Sequence, residues 1–206
     1  MSGMWGNKLK VSIFGESHGA GIGITIDGLP SGIEIDMEEV LKEMARRAPG
    51  KSKLSTARKE GDQPEILSGF FEGKTTGTPL CAVIRNSDQH SKDYGKLKDL
   101  MRPGHADYPG FIRYNGFNDY RGGGHFSGRI TAPLVFAGAV CKQILNIKGI
   151  NVGAHVKSIG TIYDKSFDEV ELTKELLDNL KINELPLLCS EKEEMMRNAI
   201  LEARSD

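Results

Sequence analysis

Two stretches of alternating apolar and polar residues near the N-terminus predict a pair of short β-strands. Leu9, Val11 and Ile13 are spaced two apart in the first stretch, and isoleucines occupy positions 22, 24 and 26 in the second. Successive side chains of a strand point to opposite faces of a sheet, so this spacing is typical of strands with one buried face. The connection between the two strands contains the sequence GESHGA, and His18 is therefore expected on a loop.

Later patterns predict both strands and helices. Strands are predicted at three places: 65–71 and 80–85, which a hairpin-like turn joins, and 150–156. Helices are predicted in four places: after Asp36, where Glu39 completes a capping box; over 131–147; over 168–180; and over 190–203, where Ser190 and Glu193 form a second box. The segment 102–120 is rich in proline and glycine and is expected to be irregular. Short connections early in the chain and alternating elements later predict an α/β fold, α+β-like, with substantial antiparallel pairing.

Charge and cysteine content narrow the class of protein. The 206 residues include 27 basic and 28 acidic side chains, so the net charge of −1 gives no global reason to expect nucleic acid or a membrane as partner. Residues 41–60 nevertheless hold seven basic and two acidic side chains, an excess suited to an anionic ligand. The three cysteines form no CxxC pair, and the N-terminus lacks the apolar core of a signal peptide. We therefore expect a cytoplasmic protein.

The segment Asp119–Arg129, DYRGGGHFSGR, has the least ordinary pattern in the chain. Three consecutive glycines cost chain entropy on folding, so they are expected where backbone must approach another group closely. The helix predicted from Thr131 would direct N–H groups and a positive dipole end toward an anion bound at this loop. A mobile surface loop of small residues is the alternative, but two arginines, a histidine and a phenylalanine are unusual in a flexible linker.

Three short motifs combine histidine with glycine: GESHG, RPGHADY and the glycine loop. An imidazole has an ordinary pKa of about 6.5, so it can give or take a proton near neutrality. A metal site is an alternative, but the spacing of Glu16, His18, His105, Asp107 and His125 matches no HExxH pattern. The serines lie in no GxSxG elbow, and the glycines in no P-loop.

The remaining interpretation is an anion pocket rich in arginine, whose planar guanidinium binds carboxylate or phosphate through two hydrogen bonds. The basic side chains available for such a pocket are Arg46, Arg47, Lys51, Lys53, Arg58, Arg102, Arg121 and Arg129.

The motifs and their order resemble those of the chorismate synthase family. GESHGAGIGITIDGLPSG is similar to the family's N-terminal signature, and RRAPG, TTGTPL, NSDQHSKDY, RPGHADY and DYRGGGHFSGR follow in the family's order. The resemblance covers nearly the whole chain. It implies a β-α-β sandwich, in which helices are enclosed between sheets, and a homotetramer. Residues 1–206 would form a single domain equivalent to the N-terminal portion of the family.

The resemblance also implies a lyase reaction of the shikimate pathway. In this family 5-enolpyruvylshikimate 3-phosphate loses phosphate and a ring hydrogen by 1,4 anti elimination, giving chorismate, with reduced FMN and no net redox change. His18 would donate to the departing phosphate, and His105 would protonate or polarise the reduced flavin. The other implied contacts are Ser17, Arg47, Arg102 and Arg129 to substrate; His125, Phe126 and Ser127 to FMN; and Arg47 and Lys53 to NADP, since NADPH is a source of electrons for the flavin. No metal is implied.

The chain also departs from the family pattern. Many relatives have RSSAR followed by an acidic residue where this chain has HFSGR followed by Ile130, so contacts of that arginine and carboxylate are not expected here. Relatives also continue well beyond the equivalent of Asp206, and we expect little or no elimination activity from the isolated chain. An alternative of a different class is a non-catalytic flavin- or anion-binding module that pairs with another chain.

Overall fold

The computed structural model describes residues 3–48, 61–87, 98 and 100–205. These residues form two compact units: the first contains the described residues up to 144, and the second contains residues 145–205. Lys53, one of the basic residues expected to contact NADP, lies outside the described residues.

The first unit is built on a five-stranded sheet in which every pairing is antiparallel. Its strands, in chain order, are β1 (Met4–Trp5), β2 (Lys10–Gly15), β3 (Gly21–Asp27), β4 (Pro64–Ser68) and, after a small hairpin of β5 (Phe70–Phe71) and β6 (Lys74–Thr75), β7 (Leu80–Arg85). Their order across the sheet is β1-β2-β3-β7-β4. The strands predicted from the alternating pattern are thus present, and the connection 16–20 turns between β2 and β3.

Burial on the central strand β3 follows the predicted alternation. Ile22, Ile24 and Ile26 are fully buried, and each pairs across the sheet with a buried residue of β7. The pairs are Ile22 with Ile84, Ile24 with Ala82, and Ile26 with Leu80. Burial of one such isoleucine contributes about 1.5–3 kcal/mol, so the apolar face of β3 and β7 fixes their register.

Two helices of this unit contribute to the same core, α1 (Met37–Arg47) and the helix that extends over Thr131–Asn146. The Asp36 carboxylate caps α1 by accepting from the backbone N–H groups of Glu38 and Glu39. Gln143 connects the second helix to the same point, because its amide accepts from the Asp36 N–H at 2.8 Å and donates to the Asp36 carbonyl at 2.9 Å. The predicted helices at both places are confirmed, as is the mixed α/β class.

The expectation of an irregular segment from 102 to 120 is wrong in part. A helix, α2 (Asp107–Arg113), begins within RPGHADY, with Pro109 in its first turn, where a missing backbone N–H breaks no helical hydrogen bond. The helix over Thr131–Asn146 is accordingly α3. None of the helices among the described residues is long and apolar enough to cross a lipid bilayer.

The second unit differs more from the predictions. It contains a short hairpin of β8 (Ser158–Ile159) and β9 (Ile162–Tyr163) and the helices α4 (Lys174–Leu180) and α5 (Glu193–Ser205). The strand predicted over 150–156 does not form, although these residues are all described. Alternation alone does not make a strand without a partner for its backbone, and the Val156 N–H instead donates to the Pro186 carbonyl at 2.8 Å.

The helix predictions in this unit need two corrections. The first predicted helix begins only at Lys174, because a 3₁₀ turn over Phe167–Glu169, closed by a Ser166–Glu169 capping box, precedes it. The predicted box of Ser190 and Glu193 is not formed, since the chain enters α5 through a 3₁₀ turn at Ser190–Lys192 whose cap residue is Cys189. His155 contacts Asp164 at 3.3 Å and the Phe167 ring at 4.4 Å between centroids, in keeping with a structural role.

A pair of Phe→Ala substitutions tests this core. Phe136 of α3 is fully buried, whereas Phe117 is 91% exposed. Phe136→Ala leaves a cavity and is expected to lower the free energy of unfolding by about 3–5 kcal/mol, and Phe117→Ala by less than about 0.5 kcal/mol. Urea unfolding followed by circular dichroism measures both values. Equal losses in the two variants would contradict the assignment of α3 to the core.

Candidate functional site

The glycine loop contains a kinked 3₁₀ segment, Arg121–Phe126, in which the three glycines have left-handed backbone. Gly122, Gly123 and Gly124 have φ values of 57°, 83° and 54°. Residues with a side chain rarely adopt these angles, so the sequence GGG is required by the path of the chain. The Gly124 carbonyl accepts from the Ser17 N–H at 3.1 Å, which joins the loop to the connection 16–20.

His18 and Ser17 lie buried beneath this loop. Their exposed fractions are 6% and 1%, and His18 Nδ1 lies 3.2 Å from Ser17 Oγ. A Cβ built on Gly122 would overlap the Cε1 and Nδ1 atoms of the His18 ring. The bare α-carbon is therefore what allows the imidazole to occupy this position.

His105 lies against the next glycine and between two charged side chains. Its Nδ1 is 3.4 Å from Arg102 Nη2 and 3.4 Å from Asp107 Oδ1, so it can accept from the guanidinium when neutral and donate to the carboxylate when protonated. A Cβ on Gly123 would lie 2.9 Å from His105 Cε1. Successive glycines thus contact the two histidines that were predicted to be catalytic.

Arg102 is held rigidly beside His105 by Asp107. Its Nε donates to Asp107 Oδ2 at 2.8 Å and its Nη2 to Oδ1 at 3.0 Å, a bidentate pair. The Arg102 side chain, through these hydrogen bonds, holds the pKa of the Asp107 carboxyl below its ordinary value. The guanidinium is therefore oriented before any anion arrives.

Asp119 and Arg121 form a second bidentate pair within the loop. Arg121 donates from Nε to Asp119 Oδ1 at 2.9 Å and from Nη2 to Oδ2 at 2.7 Å. These hydrogen bonds are the main reason that the pKa of Asp119 is lowered, and electrostatic attraction to His18 lowers it further.

A cavity of about 370 Å³ opens beside the loop. Its walls are aromatic and polar side chains: Glu16, Tyr114, Phe117, Asn118, Asp119, His125 and Phe126. The rings of Tyr114 and Phe126 are 6.2 Å apart between centroids. The volume lies within the usual range for small-molecule sites.

Glu16 places an incompletely bonded carboxyl at this cavity. Its Oε2 atom is buried and has no hydrogen-bond partner among the described residues. Burial raises the pKa of the Glu16 carboxyl, and the charges of His125 and Arg121 oppose that rise. Burial of an unpaired polar atom is costly, so this oxygen is suited to a ligand group that it can hydrogen-bond.

Two of the three predicted flavin residues line the cavity, and the third bonds to the backbone of the loop. His125 Nδ1 donates to the Gly15 carbonyl at 2.9 Å, and the ring lines the cavity together with that of Phe126. The Ser127 hydroxyl accepts from the Arg129 N–H at 3.3 Å. The N–H groups ahead of α3 were expected to face a bound anion. One of them, that of Arg129, is instead hydrogen-bonded to a side chain of the loop.

Arg47 and Arg129 meet at a buried aspartate that sequence reasoning missed. Asp62 accepts from Arg47 Nη1 at 2.6 Å and from Arg129 Nη1. The Arg129 side chain is 3% exposed and that of Arg47 is 20% exposed. Arg47 and Arg129, both predicted to contact substrate, therefore share one aspartate, and Arg47 is the more exposed of the two.

Asn86 is a second residue that the sequence analysis did not name. Its side chain bridges Arg129 and the β2–β3 connection, which carries His18. Its amide accepts from Arg129 Nε at 3.2 Å and donates to the Glu16 and Gly19 carbonyls. Its place in NSDQHSKDY was a signal, whereas Asp62 has no motif around it. Across the described ranges no group of three or more His, Cys, Asp or Glu is arranged to hold a metal ion.

Comparison with known proteins identifies many related sequences. The sequence model of the chorismate synthase family matches residues 9–206. The chain is 47% identical over 202 residues to the chorismate synthase of Sulfurimonas denitrificans and 45% identical over 206 residues to that of Methanococcoides burtonii, covering 98% of this chain and 54% of each relative. The chorismate synthase of Pyrococcus abyssi is 51% identical over 169 residues, 82% of this chain and 47% of that protein.

A solved structure gives the same result. A crystal structure of a chorismate synthase is similar with a TM-score of 0.69 at 31% identity, covering 97% of this chain and 55% of that one. The chain spans about half the length of the curated relatives it matches.

Substitution of two glycines in the loop tests its contact with His18. Gly122→Ala adds a methyl group against the imidazole at a left-handed φ, and is expected to destabilise the chain by about 1–3 kcal/mol and to shift the His18 ring resonances. Gly128→Ala is the matched control, because nothing lies within 4 Å of its Cβ position. Urea unfolding and NMR measure the two effects. Identical behaviour of the two variants would disprove the close packing on His18.

The pH dependence of stability tests the environment of Glu16. Because its folded pKa is raised, the folded state holds the proton longer than the unfolded state, and stability falls as pH rises from the ordinary glutamate pKa of about 4.3 to the raised value. Glu16→Gln is expected to remove this decline. Relative to the unsubstituted chain, the variant should therefore be more stable at neutral pH than it is at acidic pH. Unfolding free energies across about pH 4 to 7 measure it. Glu34→Gln, at an exposed site, is the control, and an equal change there would refute the interpretation.

Proposed function

The chain belongs to the chorismate synthase family, and on that premise we propose that it supplies acid–base and anion-binding residues for the elimination of phosphate from 5-enolpyruvylshikimate 3-phosphate. The observation that carries the proposal is the packing of His18 and His105 against successive glycines of one loop. Two groups able to exchange protons near neutrality are thereby held on the same short segment of backbone. The reaction class is a carbon–oxygen lyase.

The proposed substrate is a small ligand with three anionic groups, one phosphate and two carboxylates, so its binding requires several cationic donors. Arg102, Arg47 and Arg129 are proposed as contacts, with the Ser17 hydroxyl as an additional donor. Each arginine is oriented by an aspartate, Asp107 in the first case and Asp62 in the other two. Pre-oriented guanidinium groups lower the entropic cost of binding an anion.

The elimination breaks the bond between a ring carbon and the phosphate oxygen and removes a hydrogen from the carbon at the other end of the four-carbon unit that contains the ring double bond. The hydrogen is lost as a proton, its bonding electrons form a new double bond as the existing one shifts, and phosphate leaves with the electron pair of the carbon–oxygen bond. Chorismate and inorganic phosphate are the products, with one new carbon–carbon double bond and no net redox change. Negative charge develops on the departing phosphate oxygen, and we assign His18 to donate a proton or a strong hydrogen bond there. Burial of His18 beneath the glycine loop excludes water from the imidazole and strengthens that interaction.

Residues around the cavity fit a planar cofactor such as reduced FMN. The aromatic rings of Phe126 and Tyr114 suit the faces of a flat heterocycle, and Glu16 Oε2 suits a ring N–H. Reduced FMN, when bound, supplies an electron-rich ring that assists the elimination. His125, Phe126 and Ser127 are the proposed contacts, and His105 holds a proton for the flavin side of the site. Arg47 and Lys53 remain the proposed contacts for NADPH.

Two further features are proposed from the family, and a third from the cysteine content and N-terminal sequence. Residues 1–206 form one family domain, and the family match over residues 9–206, which includes residues of both compact units, supports this proposal. The protein forms a homo-oligomer, a tetramer as expected for the family. Its location is the cytoplasm.

Histidine substitutions in the protein that carries this chain test the proposed function. With reduced FMN and 5-enolpyruvylshikimate 3-phosphate under anaerobic conditions, His18→Ala and His105→Ala are each expected to lower kcat by about 10²–10⁴-fold with KM changed only a few-fold. Release of phosphate and formation of chorismate are the measurements. His155→Asn, which removes an imidazole of the second unit, is the control and should leave kcat unchanged.

Two results would contradict the proposal. A KM rise that matches the fall in kcat/KM would assign the histidines to binding rather than chemistry. The second is a failure to form chorismate in every sample that contains this chain, although FMN binds. That result would favour the non-catalytic binding module instead.

A further inference from the structure

Asn86 follows directly after β7, and its side chain closes the turn that carries His18. Its Nδ2 donates to the Glu16 carbonyl at 2.9 Å and to the Gly19 carbonyl at 2.9 Å. The Asn86 backbone N–H also donates to the Ala20 carbonyl at 3.3 Å. Both N–H groups of one amide are thus bonded to carbonyls three residues apart, on either side of Ser17 and His18.

The orientation of this amide is determined by its neighbours. Arg129 Nε can only donate, and it lies 3.2 Å from Asn86 Oδ1. The two carbonyl oxygens can only accept, so the nitrogen of the amide must face them. No flipped arrangement satisfies all three contacts.

Arg129 is in turn held by a buried counter-ion. Its guanidinium contacts Asp62, whose side chain is fully buried and whose backbone is left-handed at φ 46°. A buried charge is tolerated only when it is paired and hydrogen-bonded, and Asp62 provides that pairing. The polar contacts therefore run continuously from Asp62 through Arg129 and Asn86 to the turn at 16–19.

We propose that Asn86 is a positioning residue for His18, acting through the carbonyls of Glu16 and Gly19. It holds the turn in the conformation that places the imidazole against Gly122 and beside the Ser17 hydroxyl. The Ser17 N–H is then available to the Gly124 carbonyl, and the glycine loop docks on the turn. Only the catalytic consequence rests on the proposed function, because the arrangement itself is independent of any reaction.

Asn86→Asp tests the proposal with little change of shape. The variant keeps an oxygen for Arg129 but turns a second oxygen, which cannot donate, toward two carbonyls. In the isotope-labelled 206-residue chain, the Ser17 and Gly19 amides are expected to exchange with solvent about tenfold faster, because the turn loses its two closing hydrogen bonds. The His18 ring resonances should shift in the same sample, while the amides of Ile24 and Ala82 in the sheet should keep their exchange rates.

The control and a second variant make the result decisive. Asn7→Asp carries the same charge change at an exposed position and should alter none of these signals. Asn86→Ser removes the amide without adding charge and takes the place of Asn86→Asp if that variant does not fold.

Two outcomes would overturn the proposal. One is unchanged Ser17, Gly19 and His18 signals in a folded Asn86 variant. The other is an equal acceleration of exchange at Ile24 and Ala82, which would make Asn86 a general stabiliser of the fold. Neither readout involves substrate or flavin, so a loss of the proposed enzymatic function would leave this result standing, and the reverse is also true.

Discussion

The approach of bare backbone at Gly122, Gly123 and Gly124 to the groups around it is the constraint on which the site depends. Added Cβ atoms at these positions would meet the His18 ring, the His105 ring, and the Asp119 carbonyl together with Glu16. The left-handed φ angles exclude most side chains independently of space. Glycine loses more backbone freedom on folding than alanine does, an entropic cost of roughly 0.5–1 kcal/mol per residue that the contacts made at these three positions offset.

Pairing of arginine with aspartate is the second organising feature. The sequence suggested a pool of basic side chains around an anion, and in the structure Arg102, Arg121 and the pair at Asp62 each have a carboxylate partner. Each partner reduces the local positive charge but fixes the plane of the guanidinium. Such a site discriminates between anions by their geometry, and its overall attraction for negative charge is weaker than that of unpaired arginines.

Parts of the molecule with strong local signals could be predicted from the sequence. The strands around Val11, Ile24 and Ala82 follow a period of two, and Asp36 caps its helix as expected. The strand expected over 150–156 failed because a strand needs a partner that sequence does not reveal. Asp62 was missed because it has no motif around it, and the contacts of Asn86 could not be read from its motif because they form only when the end of β7 and the turn at 16–19 become neighbours.

The most direct test of this account is the proximity of both histidine rings to the glycine loop. In a labelled sample of the chain, nuclear Overhauser contacts are predicted from the His18 Hε1 proton to the Gly122 α-protons and from the His105 Hε1 proton to the Gly123 α-protons. Both contacts together would establish that one loop gathers the two imidazoles. Absence of either contact in a well-assigned spectrum of the folded protein would contradict the account.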